Sequence, residues 1–245
     1  MKKRIALLWL MSSAAWAADY PAVLHWSQLS GMSAAAPGVV ERVPVQAGQA
    51  VRQGELLLVL EPARYQAQVM AARAELERLQ AEEAEAKRNL DRQQELYART
   101  VTATTELDAA KLNLAQAKAA VQTGQARLEL ARRQLAETEL RAPFPALVVD
   151  RPAEPGMVVA ECQPVVLVTI ARSDEILARA SLTPGQAAGV NVGAAATVQI
   201  GDKAYAGKVK SLRFVLGDKP AYWLEVAIPR SARWMAGQAA TIKLP

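Results

Sequence analysis

Few side chains in this sequence stand where they could do chemistry. The single histidine, His25, sits beside Trp26 with no cysteine near it in sequence, and one imidazole cannot supply the ligand set of a metal site. It reads as an exposed or loosely packed residue in an extended N-terminal segment. The single cysteine, Cys162, allows no disulfide within the chain and reads as a small, half-buried strand residue. Met32, Met70, Met157 and Met235 are scattered along the chain, unlike the clustered thioethers of a soft-metal carrier. The serines form no Gly-x-Ser-x-Gly elbow, and the glycines form neither a P-loop nor a dinucleotide fingerprint. Glu82, Glu83 and Glu85 lie close to Lys87 and Arg88, as on the solvated face of a helix, where i,i+3 and i,i+4 ion pairs are ordinary. No catalytic, cofactor-binding or metal-binding residue is expected, and the chain reads as a non-enzyme.

The elements that would position any functional residue are clearer. From Pro62 to Arg141 the sequence is almost free of Gly and Pro and rich in Ala, Leu, Glu, Gln, Lys and Arg. Leu107, Leu114, Val121, Leu128 and Leu135 recur every seventh residue, each followed three residues later by Ala110, Ala117, Gly124, Ala131 or Thr138. That is an a/d seam of large against small residues. A weaker seam precedes it, with Val69, Leu76, Glu83, Leu90 and Tyr97 set against Ala72, Leu79, Ala86 and Gln93. Between the two, Arg99 to Thr105 is rich in β-branched residues that disfavour a continuous helix. The pattern predicts two helices folded back on each other, each arm about 50 Å long at the usual rise per residue.

The N-terminus has a processing signal. Lys2, Lys3 and Arg4 precede the apolar run Ile5–Met11 and the small-residue stretch ending Ala15-Trp16-Ala17, which predicts a secretory signal over residues 1–17, cleaved after Ala17. The apolar run is short of the ~20 residues a bilayer span requires. The signal holds three of the 29 basic residues and none of the 24 acidic ones, so the formal charge of +5 falls to +2 in the processed chain. This removes most of the argument for a nucleic-acid partner. A periplasmic, envelope-associated protein without a lipid anchor is expected.

The segments flanking the predicted helices repeat each other. An offset of 108 residues lays Gly38–Leu60 over Ala146–Val168 without a gap, pairing Pro44 with Pro152, Gly48 with Gly156 and Val51 with Val159. Each copy reads as strand, glycine turn, strand, and neither can bury its apolar face alone. Together they predict one β-sandwich with the helices inserted between its halves. After Arg172 come short alternating strands separated by Gly193, Gly201-Asp202, Gly217-Asp218 and Pro229, the pattern of a small β-barrel, with a helical turn near Pro184–Ala188.

The first repeat, GVVERVPVQAGQAVRQGELLLVL, and the return Leu140-Arg141-Ala142-Pro143-Phe144 resemble the split lipoyl-like domain of periplasmic adaptor subunits, the membrane fusion proteins of the HlyD and RND efflux families. Gly207-x-Val209-x-x-Leu212 and Met235-Ala236-Gly237 resemble landmarks of the same family's barrel. The resemblance implies an α+β, elongated, multidomain chain. Its parts would be an extended segment over 18–33, a lipoyl-like domain from 34–61 and 142–171, an α-helical coiled-coil hairpin over 62–141 and a β-barrel over 172–245. The hairpin replaces the turn where a true lipoyl domain carries its lysine, so no lipoyl group is expected. Cys162 stands where the first repeat has Gly54, which puts the second copy's turn in question. Fuller adaptors continue into a membrane-proximal β-domain. The sequence ends after the last expected barrel strand, which suggests a short form.

Adaptors that dock onto TolC-type channels resemble one another at the hairpin tip, where Arg, Leu and Ser stand at fixed spacing. This chain offers Arg92, Leu96 and then Ala103, with Thr102 and Thr104 as neighbouring hydroxyls. The implied function is a periplasmic adaptor of a tripartite efflux or secretion pump. Its partners would be an inner-membrane transporter, RND-type first, a TolC-type outer-membrane channel, and further copies of itself in a ring. An ABC-exporter adaptor and a non-transport envelope scaffold are the competing readings.

Overall fold

A computed structural model describes residues 19–99, 103–160, 165–216, 220–230 and 234–244. The predicted signal, Thr102 and Cys162 lie outside these residues. In chain order, strands β1 (Asp19–Trp26) and β2 (Leu29–Met32) precede the first repeat, which forms β3 (Gly38–Arg42), β4 (Ala50–Val51) and β5 (Leu56–Leu60). Helices α1 (Ala63–Ala98) and α2 (Thr104–Ala136) follow, then β6 (Glu139–Arg141) and the second repeat, β7 (Ala146–Asp150), β8 (Val158–Val159) and β9 (Val168–Arg172). The remainder is β10 (Glu175–Leu182), α3 (Pro184–Ala187), β11 (Ala195–Ile200), β12 (Lys203–Val215), β13 (Ala221–Pro229) and β14 (Ala239–Lys243). The chain divides into two compact units, one built mainly on residues 171–245 with 1–30, the other on 31–144 and 148–170. Among the described residues no helix is long and apolar enough to cross a membrane.

The second unit contains the two repeats. They build two four-stranded sheets, ordered β2-β9-β7-β4 and β6-β5-β3-β8. The 108-residue offset recurs in the hydrogen bonding. Gly48 N–H donates to the Val148 carbonyl and Gly156 N–H to the Val40 carbonyl, both at 2.8 Å. Val148 and Val40 return the favour in kind, their N–H groups donating to the carbonyls of Gln49 (2.9 Å) and Met157 (2.8 Å). The two halves therefore clasp each other about a local twofold, and each closes the other's turn. Gly48 and Gly156 hold φ of +85° and +87°, a region where a side chain is strained. Val40, Val51, Leu57, Leu60, Val148, Val159 and Leu167 are buried inside the sandwich, the outcome expected when two amphipathic sheets share one core.

The helical pair leaves and re-enters this sandwich at one place. Leu60 N–H donates to the Thr138 carbonyl at 2.8 Å, and β5 pairs with β6 just beyond, Leu58 opposite Leu140. The 36 residues of α1 and 33 of α2 span about 50 Å each. In α2 the buried positions are Leu107, Ala110, Leu114, Val121, Gly124, Leu128 and Ala131, all members of the seven-residue columns. In α1 only Tyr65, Leu79 and Ala86 are buried, because Glu83 and Gln93 interrupt the apolar stripe. The Tyr65 hydroxyl donates to the Pro37 carbonyl at 2.7 Å and ties the root of α1 to the sandwich. The helix predicted to run to Arg141 stops at Ala136, and Glu139–Arg141 is strand. Thr138, at the end of the heptad column, is 1% exposed, with its hydroxyl donating to the Leu135 carbonyl at 2.7 Å.

The first unit is a closed six-stranded barrel in the order β1-β10-β13-β12-β11-β14. Its inward faces bring Leu24, Ile176, Ala178, Val198, Ile200, Leu224, Val226, Ile228 and Ile242 into one core. The segment read as extended and separate is the barrel's first strand. β1 pairs with β10, Leu24 opposite Ala178, and with β14, Tyr20 opposite Ile242. Without it, β10 and β14 would both present open edges, and closure removes both. His25 is accordingly half-buried and opposite Leu177 rather than in a loose segment. The turn before β11 is the four-residue α3, capped by a reciprocal Thr183–Gln186 box.

Candidate functional site at the helical tip

α1 ends where the β-branched run begins. The Arg99 N–H donates to the carbonyls of Glu95 (3.3 Å) and Leu96 (3.2 Å), a tightened last turn of the kind that closes helix ends. α2 starts from Ala103, whose backbone is extended at φ −78° and ψ 151°, with no side-chain cap. Its carbonyl accepts from Glu106 N–H at 3.1 Å and Leu107 N–H at 3.4 Å. Ala103 thus occupies the position where a Ser or Thr hydroxyl would satisfy a free N–H. Glu106 supplies negative charge in the first turn instead.

Arg92 and Leu96 are one helical turn apart on α1, and both are exposed, Leu96 at 38%. Arg92 Nη2 lies 3.3 Å from Glu85 Oε1. The Glu85 carboxyl is pulled below its usual range first by the hydrogen bonds from Arg88. Glu82 pairs with Arg78, so these carboxylates serve helix-surface ion pairs. Ala103 and Thr104 are exposed at the start of α2. Tyr97 departs from the expected seam. It is 45% exposed, because α1 ends one residue later and leaves no turn to cover it. Among the described residues the large apolar side chains exposed near the tip are therefore Leu96 and Tyr97, and the early breakdown of helix propensity after Ala98 was the signal for the second.

A second polar cluster lies on the outside of the barrel. Arg179 donates from Nε (3.0 Å) and Nη2 (2.7 Å) to Glu225 Oε1, and the Ser211 hydroxyl donates to Oε2 at 2.7 Å. Arg213 Nη2 is 3.8 Å from the same carboxylate. The Trp223 ring faces both guanidinium groups, at 4.7 Å for Arg179 and 5.4 Å for Arg213. Burial pushes the Glu225 carboxyl up, but the hydrogen bonds and the two positive charges outweigh it and hold the group below the usual value. His25 is shifted down by burial first and by Arg179 second. Every acceptor of this cluster is engaged by a neighbour, which makes it a strand-to-strand brace.

The two-sheet sandwich with a helical pair spliced between its repeats is the part of the chain that a known family matches. The chain belongs to the family of CzcB-like barrel-sandwich hybrid domains, whose sequence model matches residues 28–170. It is 34% identical over 113 residues to the uncharacterized protein YdhJ of Escherichia coli K12, a match covering 46% of this chain and 39% of that protein. It is 29% identical over 139 residues to the multidrug efflux pump subunit AcrA of the same organism, covering 57% of this chain and 35% of AcrA. The matched stretch thus spans well under half of these relatives' length. Among solved structures, the fold is similar to the membrane fusion protein Spr0693 of Streptococcus pneumoniae R6, with TM-score 0.71 and 16% identity, covering 93% and 98% of the two chains. It is also similar to a MacA–MexA chimera carrying the Pseudomonas aeruginosa MexA α-hairpin domain, with TM-score 0.69 and 20% identity over 92% and 79%. The resemblance to adaptor proteins drawn from the repeats and the return segment is met by these matches.

Proposed function

We propose that this chain is the periplasmic adaptor of a tripartite efflux pump, joining an inner-membrane transporter to an outer-membrane channel through the tip of its helical pair. The observation that carries the reading is the insertion. Both helix ends are held at one point of the sandwich by the Leu60–Thr138 hydrogen bond and the β5–β6 pairing. The far ends of the helices, Ala98 of α1 and Thr104 of α2, are thereby left about 50 Å out, with Arg92, Leu96 and Tyr97 solvent-exposed. A lever of that length fixed only at its root suits reach toward a partner. The helical pair would work as a coiled-coil hairpin, with Leu96 as an apolar knob and Arg92 as a donor to acceptors on the channel. AcrA and the Photorhabdus laumondii protein MdtA, a multidrug resistance protein 27% identical over 131 residues, favour a drug-exporting system, and an RND-type transporter is the first partner to test. The adaptor would seal and couple the pump, and the transporter would drive it.

A cysteine at Leu96 provides the test. In cells lacking the native gene, Leu96→Cys with a short bifunctional cross-linker should trap an outer-membrane channel protein while drug resistance is retained. Resistance retained with no channel captured from Leu96 or from a Tyr97→Cys control would remove the docking assignment. Co-purification with an ABC transporter in place of an RND pump would move the chain to the other class of exporter.

A further inference from the structure

The outward sides of the two long helices differ in chemistry. Along α1 that side carries ion pairs, Arg78 with Glu75 and Glu82, and Arg88 and Arg92 with Glu85, as a solvated helix face does. Along α2 the side turned away from the buried Leu107, Leu114, Val121 and Leu128 presents Leu112, Gln116, Ala119, Thr123, Ala126 and Leu130, all exposed. Leu112 is 60% exposed and Leu130 59%. They stand 18 residues apart, about five turns or 27 Å, so both lie on one line along the helix. The steps along this line alternate between four and three residues, which is the spacing of a coiled-coil seam. The charged residues within the span, Lys118, Arg127 and Glu129, fall to either side of it at about 100° per residue. Arg127 acts on Glu75 of α1, and Glu129 lies 3.8 Å from Arg132. The Thr123 hydroxyl donates to the Ala119 carbonyl at 3.1 Å, so it brings no unmet polar group to the line. A second seam therefore runs down the back of α2, uncovered among the described residues.

The seam is self-complementary. Leucines close it at both ends, and Ala119 and Thr123 flank its centre at residue 121. That centre is within one residue of the middle of α2. Just beyond the leucines stand Asp108, toward the tip, and Arg133, toward the root, both exposed; Asp108 also pairs with Lys111 at 2.9 Å. A second α2 laid antiparallel about a twofold here would set each Leu112 on a Leu130 and each Asp108 beside an Arg133, every contact being made twice. A parallel copy would also match leucine to leucine, but it would set Asp108 against Asp108 and Arg133 against Arg133, and like charges reject that register. Because the centre is the middle of the helix, the start of each α2 comes level with the end of the other. The sandwich at each root then lies beyond the overlap.

We propose that the outer face of α2 is a self-association surface on which a second copy of this chain packs antiparallel, Leu112 against Leu130, about a twofold at residue 121. A single helical strip makes a small interface, and the dimer is accordingly weak and reversible. Copies arranged in a ring about the direction of the helices run parallel, so this pairing is a separate contact. It does not rest on the adaptor reading, because neither transporter nor channel enters it.

Cysteine cross-linking of the purified full chain tests the register, in a Cys162→Ser background so that no native thiol interferes. Leu112→Cys and Leu130→Cys, one of them tagged, should form a disulfide with each other when mixed, and about tenfold less product when each is oxidised alone. Equal product from each variant alone would mean a parallel pairing, and no product in the mixture would mean no pairing through this face; either result would overturn the proposal. Sedimentation equilibrium provides the second measurement. Leu112→Glu should raise the dimer dissociation constant by about tenfold or more, with an unchanged circular dichroism melt because the side chain is exposed. Asp108→Arg and Arg133→Asp should each weaken the dimer, and the double variant should recover it. A wild type that stays monomeric at its highest soluble concentration, or an association that Leu112→Glu leaves intact, would also overturn the proposal. Export assays play no part in these readouts, so their failure would leave the adaptor reading standing.

Discussion

At Glu225 two effects of opposite sign act on one carboxyl group. Burial favours the neutral acid, while the bonds from Ser211 and Arg179 and the charges of Arg179 and Arg213 favour the carboxylate and prevail. A folded-state value below the unfolded one stabilises the fold above the unfolded value of about 4.3. That contribution is lost as pH falls through the lower folded value. His25 also has a depressed value, and its contribution is lost as pH falls below about 6.5, where the unfolded imidazole takes up a proton. Stability of the barrel should therefore decline in two windows on acidification. Glu225→Gln should lower it by about 1–3 kcal/mol at neutral pH, by weakening charged hydrogen bonds in a partly buried site, and should flatten the lower window. His25→Gln should flatten only the upper one. Trp26, Trp223 and Trp234 all belong to the barrel unit, so urea unfolding followed by tryptophan fluorescence at several pH values reads this unit directly. An unchanged pH profile in both variants would show that the brace is electrostatically idle.

At the scale of elements, the interface of α1 with α2 narrows at Gly124. A Cβ built there would lie 2.8 Å from Leu79 Cδ1, 3.3 Å from Leu76 Cδ1 and 3.6 Å from the Leu76 backbone. Glycine in a helix costs about 1 kcal/mol against alanine, so this residue is present for the approach of Leu79 and Leu76. Gly124→Val should destabilise the helical pair by roughly 1–3 kcal/mol through overpacking, seen in far-UV circular dichroism melts. Gly124→Ala sets a propensity gain against a contact that the end of a leucine can yield, and its cost should be smaller. The column holding Gly124 was legible in the sequence, because a seven-residue period needs only local spacing. The strand Asp19–Trp26 was not legible as barrel, because its partners β10 and β14 lie more than 140 residues away and no local signal names them. Tyr97 and Thr138 misled in the same way. Each continues the heptad count, but α1 ends at Ala98, one residue past the first, and α2 ends at Ala136, two residues short of the second, and the count carries no information about termination. The proposal that Arg92, Leu96, Ala103 and Thr104 belong to a docking tip rests on a family pattern; helical spacing alone gives these residues no distinction.

At the scale of the molecule, the repeat and the insertion make separate demands on the chain. The sandwich depends on bonds exchanged between its halves, Gly48 to Val148 and Gly156 to Val40, and these would remain if the helices were absent. The ends the helices join are already adjacent, since Leu60 bonds Thr138 and Leu58 faces Leu140. A short loop can therefore replace a long one with little entropic penalty, as closure cost rises only slowly with loop length. Replacing residues 63–136 by a short Gly-Ser linker should leave a folded protein. The loss of Tyr65 and its bond to Pro37 should lower the sandwich's stability by about 1–2 kcal/mol. Far-UV circular dichroism should lose its helical component and keep a β-type spectrum with a cooperative melt, while export in cells should be abolished. Collapse of the β-spectrum would mean that the helices hold the two halves together. Retained export would mean that the reach of the helical pair is not what the chain contributes, and would turn attention from its tip to the barrel.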